Sequence, residues 1–361
     1  MRRMRCLVGL IKLTPSSEDW FDSLSQSLKA IVNRKGLEFY EIRLGPIDFN
    51  IVLENSCSFI KAIASFYCVK KVDEINLKNF TIYCLDSSLN SELPEFRFSQ
   101  KDLERFQLTN QLNESSRLLN YDRHRKIIKV FDMHDGYGLL YTPDFSKIPD
   151  WEVFSPLKDF IHLIALNNDS WLIHAGSLAY GDDGLILAAP GGNGKSTTTA
   201  EGLNHGLKTV GDDYFIIDAS QNKLRAYALY RTIKLFDKGV LGVPKSLKKF
   251  SFDTVKETGK SVFLCNKKNE EGPIVESFNI KSILGLYLCN ESYQLLLSKL
   301  QFTHRYFSMS SLEQIPYWSD KSLALSEKIF SQLPSRLIKS EKTPAALQML
   351  IQEIQSELVI A

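Results

Sequence analysis

Apolar and polar side chains alternate over Leu37–Leu44 and again over residues 47–53, with Gly45-Pro46 between the two runs. A period of two puts successive side chains on opposite faces, so the pattern predicts two strands around a tight turn. A helix is expected over residues 57–67 and a further strand over Phe80–Leu85, while residues 86–118 are polar and turn-rich. Residues 125–132 and 138–142 read as a hairpin around Met133-His134-Asp135-Gly136-Tyr137. Pro143, Pro149 and Pro156 then punctuate the chain, which places a boundary near residue 150.

Beyond that boundary the pattern predicts a helix over residues 156–166. Strands over 171–180 and 185–189 follow, joined by a Gly181-Asp182-Asp183-Gly184 turn. The first turns of a helix are expected over 197–203. A short strand over 208–210 is expected to return beside strand 185–189, followed by strands over 214–217, 224–229, 233–235 and 283–288. Helices are expected over Asp320–Gln332 and 343–357. The second carries Leu347, Leu350, Ile351, Ile354 and Leu358 on one face, at core spacing. The expected fold class is therefore α/β, with an α+β accessory domain over 1–150 preceding a second domain over 151–361.

Composition narrows the function classes. A net charge of +2 with 24% charged residues gives no electrostatic footprint for nucleic acid. No stretch approaches the ~20 apolar residues of a membrane span, so no membrane role is expected. The apolar run after Met1-Arg2-Arg3 is cut by Lys12, short of the roughly 7–15 residues of a signal peptide. Cys6, Cys57, Cys68, Cys84, Cys265 and Cys289 form no C-x-x-C pair and read as reduced thiols of a cytoplasmic protein.

The chemistry is concentrated after residue 184. Leu185–Ala189 leads into Pro190-Gly191-Gly192-Asn193-Gly194-Lys195-Ser196-Thr197 and then into a helix. Strand, glycine-rich turn, Gly-Lys-Ser and helix is the layout of a P-loop, whose free N–H groups and helix N-terminus surround phosphate oxygens. Lys195 is placed to reach the outer phosphates and the Ser196 hydroxyl to bind Mg²⁺. Ala189 stands where the P-loop pattern has its first glycine. The acidic pair Asp212-Asp213 follows Gly211 at the start of a strand. One carboxylate can hold Mg²⁺ and the other can accept a hydroxyl proton. His174 lies in an apolar strand whose neighbour leads into the glycine loop, and can orient an aspartate.

Taken together, His174-Ala175-Gly176, the loop 190–197 and Gly211-Asp212-Asp213-Tyr214 resemble the catalytic domain of HPr kinase/phosphorylase and its kinase relatives. The order and spacing agree, and the resemblance covers residues 155–240. It implies a P-loop kinase core of mixed sheet and flanking helices, using ATP and Mg²⁺. Asp213 is then the proton acceptor from a serine hydroxyl, His174 its neighbour, Lys195 the phosphate contact, and Ser196 with Asp212 the Mg²⁺ side. Two departures stand out. Leu229 occupies the place of a metal-binding glutamate that precedes an arginine matched by Arg231, with Asp237 a substitute ligand. The later Pro-Gly-Arg segment is also missing. Residues 229–235 are more similar to the HPr-kinase-related proteins of biosynthetic clusters, which include kinases of lasso peptide precursors.

The expected function is thus an ATP- and Mg²⁺-dependent kinase acting on a serine of a peptide or protein, with Arg231 and Lys234 as cationic contacts. Relatives of this kind assemble into homo-oligomers. A small-molecule hydroxyl kinase acting on free serine or a sugar, and a non-catalytic nucleotide-binding scaffold, are the competing expectations.

Overall fold

The computed structural model describes residues 15–54, 59–86, 93–94, 117–122, 124–221, 223–236, 243–265, 272–288, 320–341 and 343–360. The chain is mixed α/β and divides into two compact units. One comprises residues 1–41, 49–58 and 71–147, the other 42–48, 59–70 and 148–361. Among the described residues no helix is long and apolar enough to cross a membrane.

The elements of the first part are α1 (Pro15–Ile31), β1 (Leu37–Leu44), β2 (Ile47–Glu54), α2 (Ile60–Ile63), β3 (Val69–Val72), β4 (Phe80–Leu85), β5 (Arg117–Asp122), β6 (Ile127–Asp132) and β7 (Tyr137–Tyr141). The strands form one mixed sheet in the order β3-β1-β2-β4-β7-β6-β5, with β2–β4 and β4–β7 parallel and β5–β6–β7 antiparallel. Helix α1 lays Phe21, Leu24, Leu28 and Ile31 on Val52, Tyr83, Leu85, Val130 and Leu139. Each fully buried Leu, Ile or Phe contributes roughly 1.5–3 kcal/mol, so this stripe fixes the helix to the sheet.

The paired strands around Gly45-Pro46, strand Phe80–Leu85 and the 127–141 hairpin match the sequence pattern. The helix expected over 57–67 does not: only Ile60–Ile63 is helical, and residues 55–58 lie outside the described residues. The chain leaves the helix because Tyr67 N–H donates to the Leu229 carbonyl and Arg231 N–H to the Ser65 carbonyl, a pairing that a longer helix would forfeit.

The second part contains α3 (Asp150–Val153), α4 (Lys158–Asn167), β8 (Ser170–His174), β9 (Gly176–Tyr180), β10 (Asp183–Ala188), α5 (Lys195–Asn204), β11 (Tyr214–Asp218), β12 (Arg225–Ala228), β13 (Thr232–Leu235), β14 (Ser251–Val255), β15 (Lys260–Leu264), β16 (Ser277–Leu288), α6 (Asp320–Gln332), β17 (Ser335–Ser340) and α7 (Pro344–Ile360). Its larger sheet runs β8-β11-β12-β16-β10-β9, with β17 pairing β16; β13-β15-β14 form a separate antiparallel sheet. The apolar stripe of α7 is buried as its spacing predicts, Leu347, Ile351 and Ile354 completely so.

Two expectations are corrected here. Residues 171–180 are not one strand. They break at Ala175 into β8 and β9, which pair with β11 and β10 respectively, so consecutive strands form the two ends of the sheet order. Residues 208–210 do not return beside β10: Lys208 bridges Ala179 of β9, and Thr209 bridges Ile274.

Candidate active site

The break at Ala175 creates the site. Register pairs Tyr214 with His174 on one side and Leu187 with Gly176 on the other. The end of β8, the start of β11 and the end of β10 therefore meet at one end of the sheet. The acidic pair precedes β11 and the glycine loop follows β10, so both arrive beside residues 174–176. Gly176 is required there. A Cβ on it would meet Thr199 Oγ1 at 2.8 Å, so its absence lets α5 close onto the strand.

The loop takes the backbone its composition permits. Gly192 and Gly194 hold positive φ values of 79° and 94°, and a side chain added at Gly191 or Gly192 would meet nothing within 4 Å. The loop is therefore open at these two positions. Ala189 is fully buried and is not among the positive-φ residues, so alanine fits there without strain. Pro190, Asn193, Ser196 and Thr197 are partly exposed around the turn, and Pro190 accepts the Asn193 N–H at 3.3 Å. Helix α5 starts at Lys195, with the Gly194 carbonyl accepting the Thr198 N–H at 2.8 Å. Lys195 is buried and donates from Nζ to the Ala189 carbonyl at 2.6 Å. Burial pulls its ammonium down to a pKa of about 8, against the opposing charge of Asp213.

Asp213 is clamped on both oxygens. His174 Nε2 lies 2.9 Å from Oδ1, and Lys234 Nζ donates to Oδ2 at 2.8 Å. Burial alone would raise the Asp213 pKa, but Lys234 and His174 outweigh it and hold the carboxyl well below its ordinary range. Next to the ionised carboxylate, His174 keeps its proton on Nε2. Its buried Nδ1 has no hydrogen-bond partner among the described residues. Burial lowers the His174 pKa, against the opposing pull of Asp213. The Tyr214 ring stacks on His174 at 4.9 Å between centroids, and Lys158 Nζ lies 5.2 Å from the far ring's centroid.

Asp212 behaves differently. It is 2% exposed; Oδ2 accepts the backbone N–H of Lys234 at 3.1 Å, and Oδ1 is buried with no partner among the described residues. Burial first, and then the charge of Asp213, raise its pKa to about 6. A carboxylate oxygen placed in this way can ligate a cation.

Two hydroxyls that the sequence pattern does not single out position this pair. Ser177 Oγ and Thr209 Oγ1 lie 2.8 Å apart, within 3.0 and 2.9 Å of the Gly211 carbonyl. They accept the N–H groups of Val210 at 3.2 Å and Gly211 at 3.0 Å. This buried knot fixes the turn before Asp212, and Ala175 N–H donates to the Asp213 carbonyl at 3.0 Å. Only the alternation of Ser177 among apolar neighbours could have hinted at it.

Lys234, on β13, is the cation on Asp213, and it also contacts Ser155 Oγ. Arg231 sends its Nε to the Ala64 carbonyl at 2.6 Å, and burial lowers its pKa. Leu229 is fully buried; Asp237 lies outside the described residues. A scan against protein-family models finds no match for this chain, and no curated protein matches it.

Proposed function

We propose that this protein is a P-loop phosphotransferase with an HPr-kinase-like core, moving the γ-phosphoryl group of ATP to a serine hydroxyl of a peptide or protein. The observation that carries the reading is the meeting of an open Gly-rich loop and a clamped aspartate at one end of one sheet, joined through residues 174–176.

The division of labour follows from the two carboxylates. Asp212 Oδ1, buried and without a partner among the described residues, and the Ser196 hydroxyl would hold Mg²⁺. Such an ion would supply positive charge against the phosphate oxygens. Lys195 adds positive charge on the same oxygens once it swings from the Ala189 carbonyl. Asp213, held ionised, orients the acceptor hydroxyl and takes its proton late, when bond formation to phosphorus has made that proton acidic. Its depressed pKa suits a group that must be charged whenever substrate arrives. His174 and Lys234 prevent it from turning away.

The test uses [γ-³²P]ATP, MgCl₂ and serine-containing peptides, with phosphoserine read by mass spectrometry. The expected result is transfer of one phosphate per acceptor serine. Saturable transfer to free serine or a sugar, with none to peptides, would redirect the proposal to a small-molecule kinase. Nucleotide binding without transfer to any hydroxyl would contradict it.

A further inference from the structure

Asp213, the group proposed to meet the acceptor hydroxyl, heads a short run of stacked side chains. His174 Nε2 lies 2.9 Å from its Oδ1, and the Tyr214 ring stacks on His174 at 4.9 Å between centroids, 25° from parallel. Lys158 Nζ then lies 5.2 Å from the Tyr214 centroid and 4.4 Å from the Trp151 centroid. The ammonium is therefore within roughly 15 Å of Asp213, the length of four or five extended residues at about 3.3 Å each. Burial is the largest cause lowering the His174 pKa, and the charge of Lys158 adds to it, so this ammonium is felt at the ring that holds Asp213.

The proposed chemistry leaves Lys158 without a task. It is partly exposed, and among the described residues it has no carboxylate partner. It opens helix α4, where the helix dipole opposes a cation, and two aromatic faces hold it there instead. The turn that delivers it is strained: Leu157 is fully buried at a φ of 60°, a left-handed conformation rare for a bulky side chain. The same turn is tied down. Thr232 Oγ1 donates to the Phe154 carbonyl at 3.3 Å, and the Tyr230 hydroxyl donates to the Pro156 carbonyl at 2.6 Å. Trp151 packs on Phe154, Val255 and Val262. A braced turn thus presents an uncompensated ammonium near the proposed acceptor group.

We infer that Lys158, framed by Trp151 and Tyr214, is a specificity contact that takes a carboxylate of the acceptor peptide, within about five residues of the phosphorylated serine. The inference rests on the phosphotransferase reading above and names its substrate class, acidic rather than basic peptides. An ammonium held on rings attracts a carboxylate and repels a lysine or arginine side chain. The rings also keep water from part of its surroundings, which strengthens the charge pair. Lys158 does not act on the reacting atoms; it selects which serine is presented to them.

The test measures transfer and binding separately on the full chain. Serine peptides with blocked ends carry a single Glu, Gln or Lys at each nearby position. Transfer from ATP gives KM, and calorimetry gives Kd. With the unmodified protein, Glu should lower both by about 3–10-fold relative to Gln, and Lys should raise them. Repeating the series with a free C-terminus separates a side-chain carboxylate from the chain's own end. Lys158→Gln should remove the preference and Lys158→Glu should reverse it. An acid at the start of α4 suits the helix dipole, so the second variant is expected to fold. No effect of Glu and none of freeing the C-terminus, on the unmodified protein, would overturn the inference without any variant. A preference for acid that survives in Lys158→Glu would overturn it too, as would failure to bind any peptide. Acid-selective binding with no transfer to any serine would instead sink the phosphotransferase reading, so the two failures are distinguishable.

Discussion

Asp213 and Asp212 are neighbours in sequence with opposite electrostatics, and the roles proposed for them follow that difference. Asp213 has a donor on each oxygen and stays ionised; Asp212 is nearly sealed from water and is pushed up to about 6. Replacing Asp213 with Asn should lower transfer by about 10²–10⁴-fold, the usual worth of a positioned acid–base group, while nucleotide affinity stays near its starting value. A fluorescent-nucleotide titration beside a transfer assay separates the two, and loss of both would move Asp213 to the metal. Lys195→Ala should weaken nucleotide binding by roughly 10–100-fold, the cost of one charge-assisted hydrogen bond. Unchanged affinity would remove Lys195 from the cradle.

In the first unit, Glu54 is raised to about 7 from an ordinary 4.5, by burial first and then by Asp86. A carboxyl with a raised folded pKa favours the folded state most when protonated. This contribution is full below pH 4.5 and is lost as pH rises through about 7. Glu54→Gln should therefore raise the melting temperature at pH 8 and change it little at pH 4.5. An equal shift at both pH values would contradict the assignment.

At the scale of elements, the most consequential feature is the one-residue break between β8 and β9. Residues 171–180 are mostly apolar and carry no turn signal strong enough to split them, so the pattern gives one strand; pairing with two different partners is a long-range fact that local periodicity does not carry. The loop, its helix and β10 were legible because glycine conformations and strand–helix alternation are local properties. The bond between Lys234 and Asp213 was not, because it depends on a second sheet brought against the first. The 57–67 helix failed for the related reason that tertiary pairing outbid local helix propensity. Close packing gives a test at this scale. A Cβ at Gly202 in α5 would lie 2.3 Å from Cδ2 of the fully buried Leu178. Gly202→Ala should thus destabilise the protein by about 1–3 kcal/mol in chemical denaturation, despite the better helix propensity of alanine. A neutral or stabilising result would mean that α5 is not pressed onto β9.

For the molecule as a whole, fold class followed from alternating strand and helix patterns, whereas the placing of β8 and β9 at opposite ends of the larger sheet's strand order did not. That arrangement brings a glycine-rich loop and an acidic turn, separated in sequence, to the same sheet end. The central claim is that a nucleotide's terminal phosphate, held by residues 190–197, faces the Asp213 carboxylate. A crystal structure with a non-hydrolysable ATP analogue and Mg²⁺ tests this most directly. The γ-phosphate is predicted to lie across a hydroxyl-sized gap from Asp213, with Lys195 released from the Ala189 carbonyl onto phosphate oxygens. A nucleotide bound elsewhere, or one whose terminal phosphate points away from Asp213, would contradict it.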